Sequence, residues 1–389
     1  MKTIHSTIPD PFFHYSFALP KEQIAFFDIE TTGLSAKASS LYLIGLMYYD
    51  KETSSWKLIQ WFADNYQSEK EMLVQFLNTL EDFSFLIHFN GRTFDIPYIK
   101  AKCDKHDLTI SSHNKEIFED TDNCISVDLL QQIRSVKKLI GMNKCNQTSV
   151  EQWLSIDRED TYNGGELIPV YSEYMQKRIL AKEEAAALEK LLLLHNHDDI
   201  AMMLELCSLL TYCDLCSPAF WETHTLTSPV TTSMDEENGN LLLSFSVPFL
   251  FPKKISFRAG TDNHILSFTF WQDKGSIRVP YYQGSLKFFF PNYKEYYYLP
   301  KEDTAIHKSV AEFVDKQFRK KATASTCYTK KTGCFLPSLA TKAPENIPLF
   351  YTDYKEKPTY WELKKDTDAD QKMLTAYVIT QLCSMKKKV

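Results

Sequence analysis

Residues 24–33, Ile24-Ala25-Phe26-Phe27-Asp28-Ile29-Glu30-Thr31-Thr32-Gly33, run from four apolar positions into two carboxylates and a glycine. The short apolar run predicts a strand over residues 24–29. Side chains at i and i+2 of a strand share one face, so Asp28 and Glu30 point the same way. Two anions side by side repel each other unless something positive sits between them, and a divalent metal is the simplest such group. Gly33 then lets the chain turn sharply away and leaves that face open.

The elements on either side extend the pattern. Residues 41–49 (LYLIGLMYY) and 56–62 (WKLIQWF) are aromatic and β-branched enough to be strands, and with the first they form a three-stranded meander. Residues 68–80 carry apolar positions at helical spacing, with Ser68 and Glu71 arranged as a capping box. A fourth strand is expected over 85–89, a helix over about 94–102 and a fifth strand over 124–127. Asp128 is placed to cap the helix after it. Thr148 and Glu151 suggest a second capping box, and residues 182–210 are strongly helical apart from the polar cluster 195–199. Three strands, helix, strand, helix, strand and further helices make an α/β pattern. It resembles the order of elements in ribonuclease H-like folds, a mixed sheet flanked by helices.

After Pro218 the character changes. Residues 240–251, 265–271, 276–282 and 286–290 read as short strands, followed by a helix over 305–318. The expected organisation is therefore an N-terminal extension over 1–20, a ribonuclease H-like domain over 21–216 and an α+β accessory domain over 217–389.

Composition narrows the class. The 389 residues are 44% hydrophobic and 24% charged, as in an ordinary globular protein. No stretch approaches the ~20 consecutive apolar residues of a membrane span. The first residues show no apolar segment beside a cleavage site, so no secretory signal is expected. Nine scattered cysteines suit a reducing cytoplasm better than a disulfide framework. Charge is uneven: residues 1–216 carry a net −12 and residues 217–389 a net +6, which points either to separate jobs for the two parts or to ordinary surface variation.

Two further acidic clusters complete a constellation. Asp95 ends the segment His88-Phe89-Asn90-Gly91-Arg92-Thr93-Phe94-Asp95, where a strand runs through a glycine turn into a helix. That is where α/β sheets keep their sites. Asp199 ends His195-Asn196-His197-Asp198-Asp199, inside an otherwise apolar helix, and His195 lies four residues before it on the same helical face. Hard cations prefer carboxylate oxygens. Two such ions about 3.5–4 Å apart can stabilise both the attacking and the leaving oxygen of a phosphodiester. His195 is placed to act as base, since imidazole titrates near neutral pH. The chemistry that follows is hydrolysis of a phosphodiester by a metal-activated water. Thr31, Asn90 and Asp128 are candidate substrate contacts, with Asp128 also read as a helix cap. His197 reads as structural and Asp198 as surface.

These motifs resemble those of DEDD exonucleases. Asp28-x-Glu30-Thr-Thr-Gly is similar to their first motif, Asn90-x₃-Phe94-Asp95 to the second and His195-x₃-Asp199 to the third. Within that superfamily the chain is most similar to the YprB-like ribonuclease H-like proteins of bacteria. Look-alike segments are Ser126-Val127-Asp128-Leu129-Leu130, Asp157-Arg158-Glu159-Asp160 and residues 164–171 (GGELIPVY). The likeness covers roughly residues 20–215. It implies a 3′–5′ exonuclease-type site acting on single-stranded DNA or RNA. It also implies two Mg²⁺ or Mn²⁺ ions held by Asp28, Glu30, Asp95 and Asp199, with His195 as base. One departure stands out: three residues separate His195 from Asp199, as in the tyrosine form of the motif, so His195 fills a tyrosine-like position.

Two other signals lie outside this set. Cys213 and Cys216, with Cys327 and Cys334, could form a zinc site, or they are small apolar residues of the core. The basic segment 316–331, with Phe318 and Tyr328 interleaved, could track a nucleic-acid backbone through Lys320, Lys321, Lys330 and Lys331, or it is a solvated surface.

Overall fold

The computed structural model describes residues 1–387 apart from 18, 159, 161, 236, 262, 263, 343, 345, 346 and 364–366. Glu159, within one of the look-alike segments, thus lies outside the described residues. The chain divides into two compact units, Met1–Cys213 and Asp214–Val389.

The first unit is a six-stranded mixed sheet flanked by helices. Its strands are β1 (Lys2–Ile8), β2 (Ile24–Thr31), β3 (Leu41–Asp50), β4 (Ser55–Phe62), β5 (Phe85–His88) and β6 (Ile125–Asp128). They lie in the order β1-β4-β3-β2-β5-β6. The first four pair antiparallel, while β5 pairs parallel with both β2 and β6. The helices are α1 (Glu69–Leu80), α2 (Asp95–Lys105), α3 (Ser112–Glu119), α4 (Leu129–Val136), α5 (Gln147–Leu154), α6 (Gly164–Lys177) and α7 (Lys182–Leu206).

Alternation along β2 decides which layer lies where. Ala25, Phe27 and Ile29 join a core with Met72, Leu73 and Phe76 of α1 and Ile96 and Ile99 of α2. Phe26, Asp28 and Glu30 point to the opposite face, where α7 crosses the sheet. Gly45 of β3 pairs with Asp28 and marks the crossing. A Cβ there would lie 2.2 Å from Ile200 Cδ1 and 2.3 Å from Asn196 Oδ1. Only glycine lets α7 come that close.

Several local expectations are corrected. The expected extension over 1–20 begins with β1, an edge strand paired from Lys2↔Phe62 to Ile8↔Trp56. Only Ile8 of its seven residues is buried, so its period-2 signal is weak. Ser68 does not cap α1 with its side chain but donates to Asp64 Oδ1 at 3.0 Å. A 3₁₀ turn over Tyr66–Ser68, capped by Asn65, leads into the helix instead. The buried Glu69 carboxylate meets Lys102 Nζ at 2.7 Å and accepts from Leu41 N, fixing the start of β3. Thr148 caps nothing, because α5 begins a residue earlier after Asn146. The capping box falls at Asn163 and Glu166 of α6. The polar cluster 195–199 does not interrupt α7, which is continuous.

The second unit contains α8 (Leu210–Leu215) in part, α9 (Pro218–Thr223), β7 (Thr231–Asp235), β8 (Asn240–Thr261), β9 (His264–Pro280), β10 (Tyr282–Phe289), β11 (Tyr296–Leu299), β12 (Thr304–His307), α10 (Lys308–Ala311), β13 (Lys320–Lys321), β14 (Tyr328–Ser338), β15 (Thr359–Leu363) and α11 (Thr367–Met385). Three sheets, β7-β8-β9, β10-β14-β15 and β12-β11-β13, make it α+β. The expected strands 265–271 and 276–282 are largely one strand, β9. It is carried past the intervening polar residues by a bulge, with Gln272 at φ 54° and a register shift opposite Phe251. The helix expected over 305–318 is confined to Lys308–Ala311, because Ala305 and Ile306 pair into β12. Phe313 is 91% exposed, so no apolar face anchors a longer helix.

The two outlying signals fare differently. Cys327 directly precedes β14 and Cys334 lies within it, so an extended strand separates the two by roughly 20 Å. They cannot share one tetrahedral ion. In the basic segment, Lys330 contacts Asp303 and Lys331 meets Glu362 at 2.7 Å, while Lys320 and Lys321 are exposed on β13.

Among the described residues, no helix is long and apolar enough to cross a membrane.

Candidate active site

Seven of the eight candidate residues meet. Asp28, Glu30, Thr31, Asn90, Asp95, His195 and Asp199 line one cleft of about 270 Å³, bordered by Phe94 and by Gly164 and Gly165 at the start of α6. They arrive from three segments: the end of β2, the β5–α2 turn and the middle of α7.

Each segment is fixed by its own chemistry. Asn196 of α7 donates Nδ2 to Asp28 Oδ2 at 3.0 Å and accepts from Gln60 Nε2 of β4 at 2.9 Å. The hydrogen-bond chain Gln60–Asn196–Asp28 pins helix to sheet. In the β5–α2 turn, Asn90 takes φ 66°, and its amide donates to Asp128 Oδ1 at 3.0 Å. Gly91 N donates to His88 Nδ1, and a Cβ on Gly91 would lie 2.7 Å from that imidazole. Asp95, at the first turn of α2, accepts from Ile29 N at 3.3 Å, which ties it to β2. Thr31 donates its hydroxyl to Gly33 O, and Asn90 Oδ1 accepts from Thr93.

Asp128 is the exception. It does not line the cleft, and it is 3% exposed. Its Oδ1 accepts from Asn90 N, Leu130 N and Gln131 N. The carboxylate caps α4 and shapes the turn, so the reading as a substrate contact is corrected and the reading as a cap stands.

The carboxylates are strained by each other's company. Burial, then the neighbouring charges of Asp95, Glu30 and Asp199, holds the Asp28 carboxyl well above the ordinary carboxylate range. Burial pushes Glu30 up to about 8, although His195 opposes the shift. Asp95 rises to about 7 by burial, against hydrogen bonds from its own amide and from Ile29. Burial first, and then mutual repulsion with no cation between them, makes these groups costly to ionise. One ligand atom each from Glu30, His195 and Asp199 lies within 4.8 Å of the others, a set that could hold a metal ion. The hard oxygen donors beside this set, from Asp28 and Asp95, fit a divalent cation.

Three neighbours escaped the sequence. Asp160 accepts from His195 Nδ1 at 2.6 Å, which leaves Nε2 facing Glu30 Oε1 at 3.5 Å and Asp199 Oδ2 at 3.4 Å. Burial works against protonating this ring, but Glu30, Asp199 and Asp160 together outweigh it and raise its pKa. Arg158 meets Asp199 Oδ1 at 2.5 Å and Glu151 Oε2 at 3.4 Å, so only Asp199 Oδ2 is turned to the histidine. Asp198, read as surface, is buried and accepts from Asp160 N at 3.0 Å. Hydrogen bonds from His197 and Asp160 outweigh its burial and keep its pKa low. Asp198 therefore anchors the loop that presents Asp160. The segment Asp157-Arg158-Glu159-Asp160 held the signal, as acidic and basic residues outside any predicted element.

A second groove adjoins the cleft and shares Asp28, Phe89, Asn90 and Asp199 with it. Arg134 and Lys137 at the end of α4 line its far side.

Residues 25–211 match the family model described as RNase_H superfamily, so this part of the chain is similar to that superfamily. A search of the curated proteins finds no significant match. Among solved structures, the chain is similar to the family B DNA polymerase of the hyperthermophilic archaeon Pyrobaculum calidifontis, at 13% identity and a TM-score of 0.39. That similarity covers 71% of this chain and 35% of the polymerase, so the chain spans about a third of that protein.

Proposed function

We propose that this chain is a metal-dependent nuclease that hydrolyses phosphodiester bonds at single-stranded ends of DNA or RNA, as a 3′–5′ exonuclease with two Mg²⁺ or Mn²⁺ ions. Residues 21–216 would be catalytic and 217–389 accessory. The observation that carries the reading is the convergence of Asp28, Glu30, Asp95 and Asp199 on one cleft, with three of them held above the ordinary carboxylate range. A protein that only bound nucleic acid would have no use for clustered anions that repel phosphate.

These four residues are the proposed ligands. Divalent cations held there would lower the pKa of a bound water and offset charge on the phosphate oxygens. His195 is the proposed base. Its Nδ1–H is donated to Asp160, so whenever the ring is neutral its lone pair is on Nε2, which faces the cleft. There it accepts a proton from the attacking water. Asp160 holds the ring's tautomer and orientation, and Arg158 holds Asp199. Arg134 and Lys137 line the adjoining groove and would bind the phosphates of the strand. The free cysteines suit action in a reducing cytoplasm.

The test is an end-labelled oligonucleotide incubated with Mg²⁺ or Mn²⁺. The expected result is stepwise shortening from the 3′ end, abolished by EDTA and by Asp28→Asn. Cleavage of circular single strands would identify an endonuclease instead. Binding without cleavage under either metal would leave only a nucleic-acid-binding protein on a nuclease scaffold.

A further inference from the structure

The sheet β7-β8-β9 has two unlike faces. Leu243, Phe245 and Ile255 of β8 and Phe268, Phe270 and Ile277 of β9 are buried on one of them. The other face, at the alternate positions, carries cations, hydroxyls, one exposed aromatic ring and, near the hairpin end, the exposed Ile265. Ser256 and Thr269 pair across the strands, their hydroxyls 3.0 Å apart. Lys254 and Arg258 flank Ser256 at i−2 and i+2, so all three point outward, and all three are exposed. Trp271, two residues beyond Thr269, is 47% exposed on the same face.

Past the bulge at Gln272 the outward series resumes with Lys274 and Arg278. Lys274 Nζ reaches Ser246 Oγ at 2.9 Å and Asp273 at 3.0 Å, and Arg278 lies 3.9 Å from Asp235. Lys254 and Arg258 form no ion pair among the described residues. A shallow groove runs beside Trp271 and Lys274, lined by the hydroxyls of Thr231, Ser244, Ser246 and Ser276.

From this arrangement we infer that the outward face of β8 and β9 binds single-stranded nucleic acid, with a base stacked on Trp271 and the backbone held by Lys254, Arg258 and the flanking hydroxyls. The inference rests on the nuclease reading for its substrate class. Charge complementarity favours this occupant: Lys254 and Arg258 form no ion pair among the described residues, and residues 217–389 carry a net +6 against a polyanion. Chemistry favours it too. Serine and threonine hydroxyls donate to phosphate oxygens, and a π-face accepts any base, so the contact is independent of sequence. Alternate residues on a strand stand about 6.7 Å apart, comparable to the step between successive phosphates of an extended single strand. A membrane surface would call for a cluster of aliphatic side chains around the ring, whereas Trp271 is bordered by Thr269 and Gln272.

The test is fluorescence anisotropy of the full chain with a labelled oligo(dT) of about twenty nucleotides, a length that spans several stacking sites. EDTA is present to prevent cleavage, and salt is varied. The double variant Lys254→Gln/Arg258→Gln should lower the slope of log affinity against log salt by about 1.4, two cations at about 0.7 each. Trp271→Ser should weaken binding at least about fivefold, and Trp271→Phe should restore most of that loss. The inference is overturned if these variants bind like the parent protein. It is overturned equally if Lys320→Gln/Lys321→Gln on β13 costs as much, or if the protein binds phosphatidylglycerol vesicles and not the oligonucleotide. Hydrolysis of a small chromogenic phosphodiester with Mn²⁺ separates this inference from the nuclease reading. The surface variants should leave it unchanged, and its absence in the parent protein would remove the nuclease reading while leaving the binding result intact.

Discussion

Asp160 Oδ2 lies 2.6 Å from His195 Nδ1, in a contact buried at both ends. Thirty-five residues separate the two in sequence, and the loop that carries Asp160 is held by Asp198, three residues along α7 from the histidine it serves. The imidazole therefore has one orientation, with Nε2 toward Glu30 and Asp199.

Asp160→Asn preserves volume and removes the charge that fixes the ring. Partners of this kind typically cost about 10–100-fold in activity or metal affinity when replaced. The account predicts a fall of that size in kcat. If Asp160 acts only through His195, the double variant Asp160→Asn/His195→Ala will be no slower than His195→Ala alone. Steady-state kinetics on the four forms provides the cycle, and independent, multiplying losses would contradict the assignment.

The raised carboxylates give the metal-free protein a definite pH dependence. Burial and mutual repulsion lift Glu30 to about 8, Asp95 to about 7 and Asp28 well above its usual range. A group whose folded pKa exceeds its unfolded value contributes stability that is complete below the unfolded pKa, about 4 for carboxyls. That contribution is lost as pH rises through the folded values. In EDTA, the carboxylate contribution should therefore fall between pH 5 and pH 8. Divalent cations favour the ionised forms, so the rise in Tm on adding Mn²⁺ should be larger at pH 8 than at pH 5. Scanning fluorimetry reads both, and an equal rise at the two pH values would show that these carboxylates do not meet the metal.

Gly45 is where helix and sheet touch most closely. Gly45→Ala places a methyl group against Ile200 and Asn196, and overpacking of this kind costs about 1–3 kcal/mol. Because Asn196 belongs to the same helix as His195 and Asp199, activity should fall along with stability. Urea denaturation and turnover measured on one preparation would check this. Full activity in a destabilised variant would mean that α7 tolerates displacement.

Much of this site was legible because its spacings are local. Asp28 and Glu30 share a face by the period of a strand, His195 and Asp199 by the period of a helix, and Asp95 follows a glycine turn between the two element types. Those rules need no tertiary information. Asp160 and Arg158 were not legible as site residues, since a loop has no period and their partners are distant in sequence. Asp198 misled for the opposite reason: a charged residue beside a functional one looks solvated until its acceptor role for Asp160 N is seen. The strands β2 to β6 followed from hydrophobic runs, but β1 did not, because an edge strand that buries one residue in seven leaves almost no pattern. In the second unit, the polar residues around the Gln272 bulge resemble a turn, and the sequence alone cannot distinguish a strand that bends from one that ends.

The central claim is that Asp28, Glu30, Asp95 and Asp199 grip divalent cations. Anomalous diffraction from crystals grown with Mn²⁺ tests it most directly. The account predicts two peaks in the cleft, about 3.5–4 Å apart, each about 2.0–2.2 Å from carboxylate oxygens of this set. A well-ordered cleft with no anomalous peak at saturating Mn²⁺, and Asp199 still paired with Arg158, would contradict it.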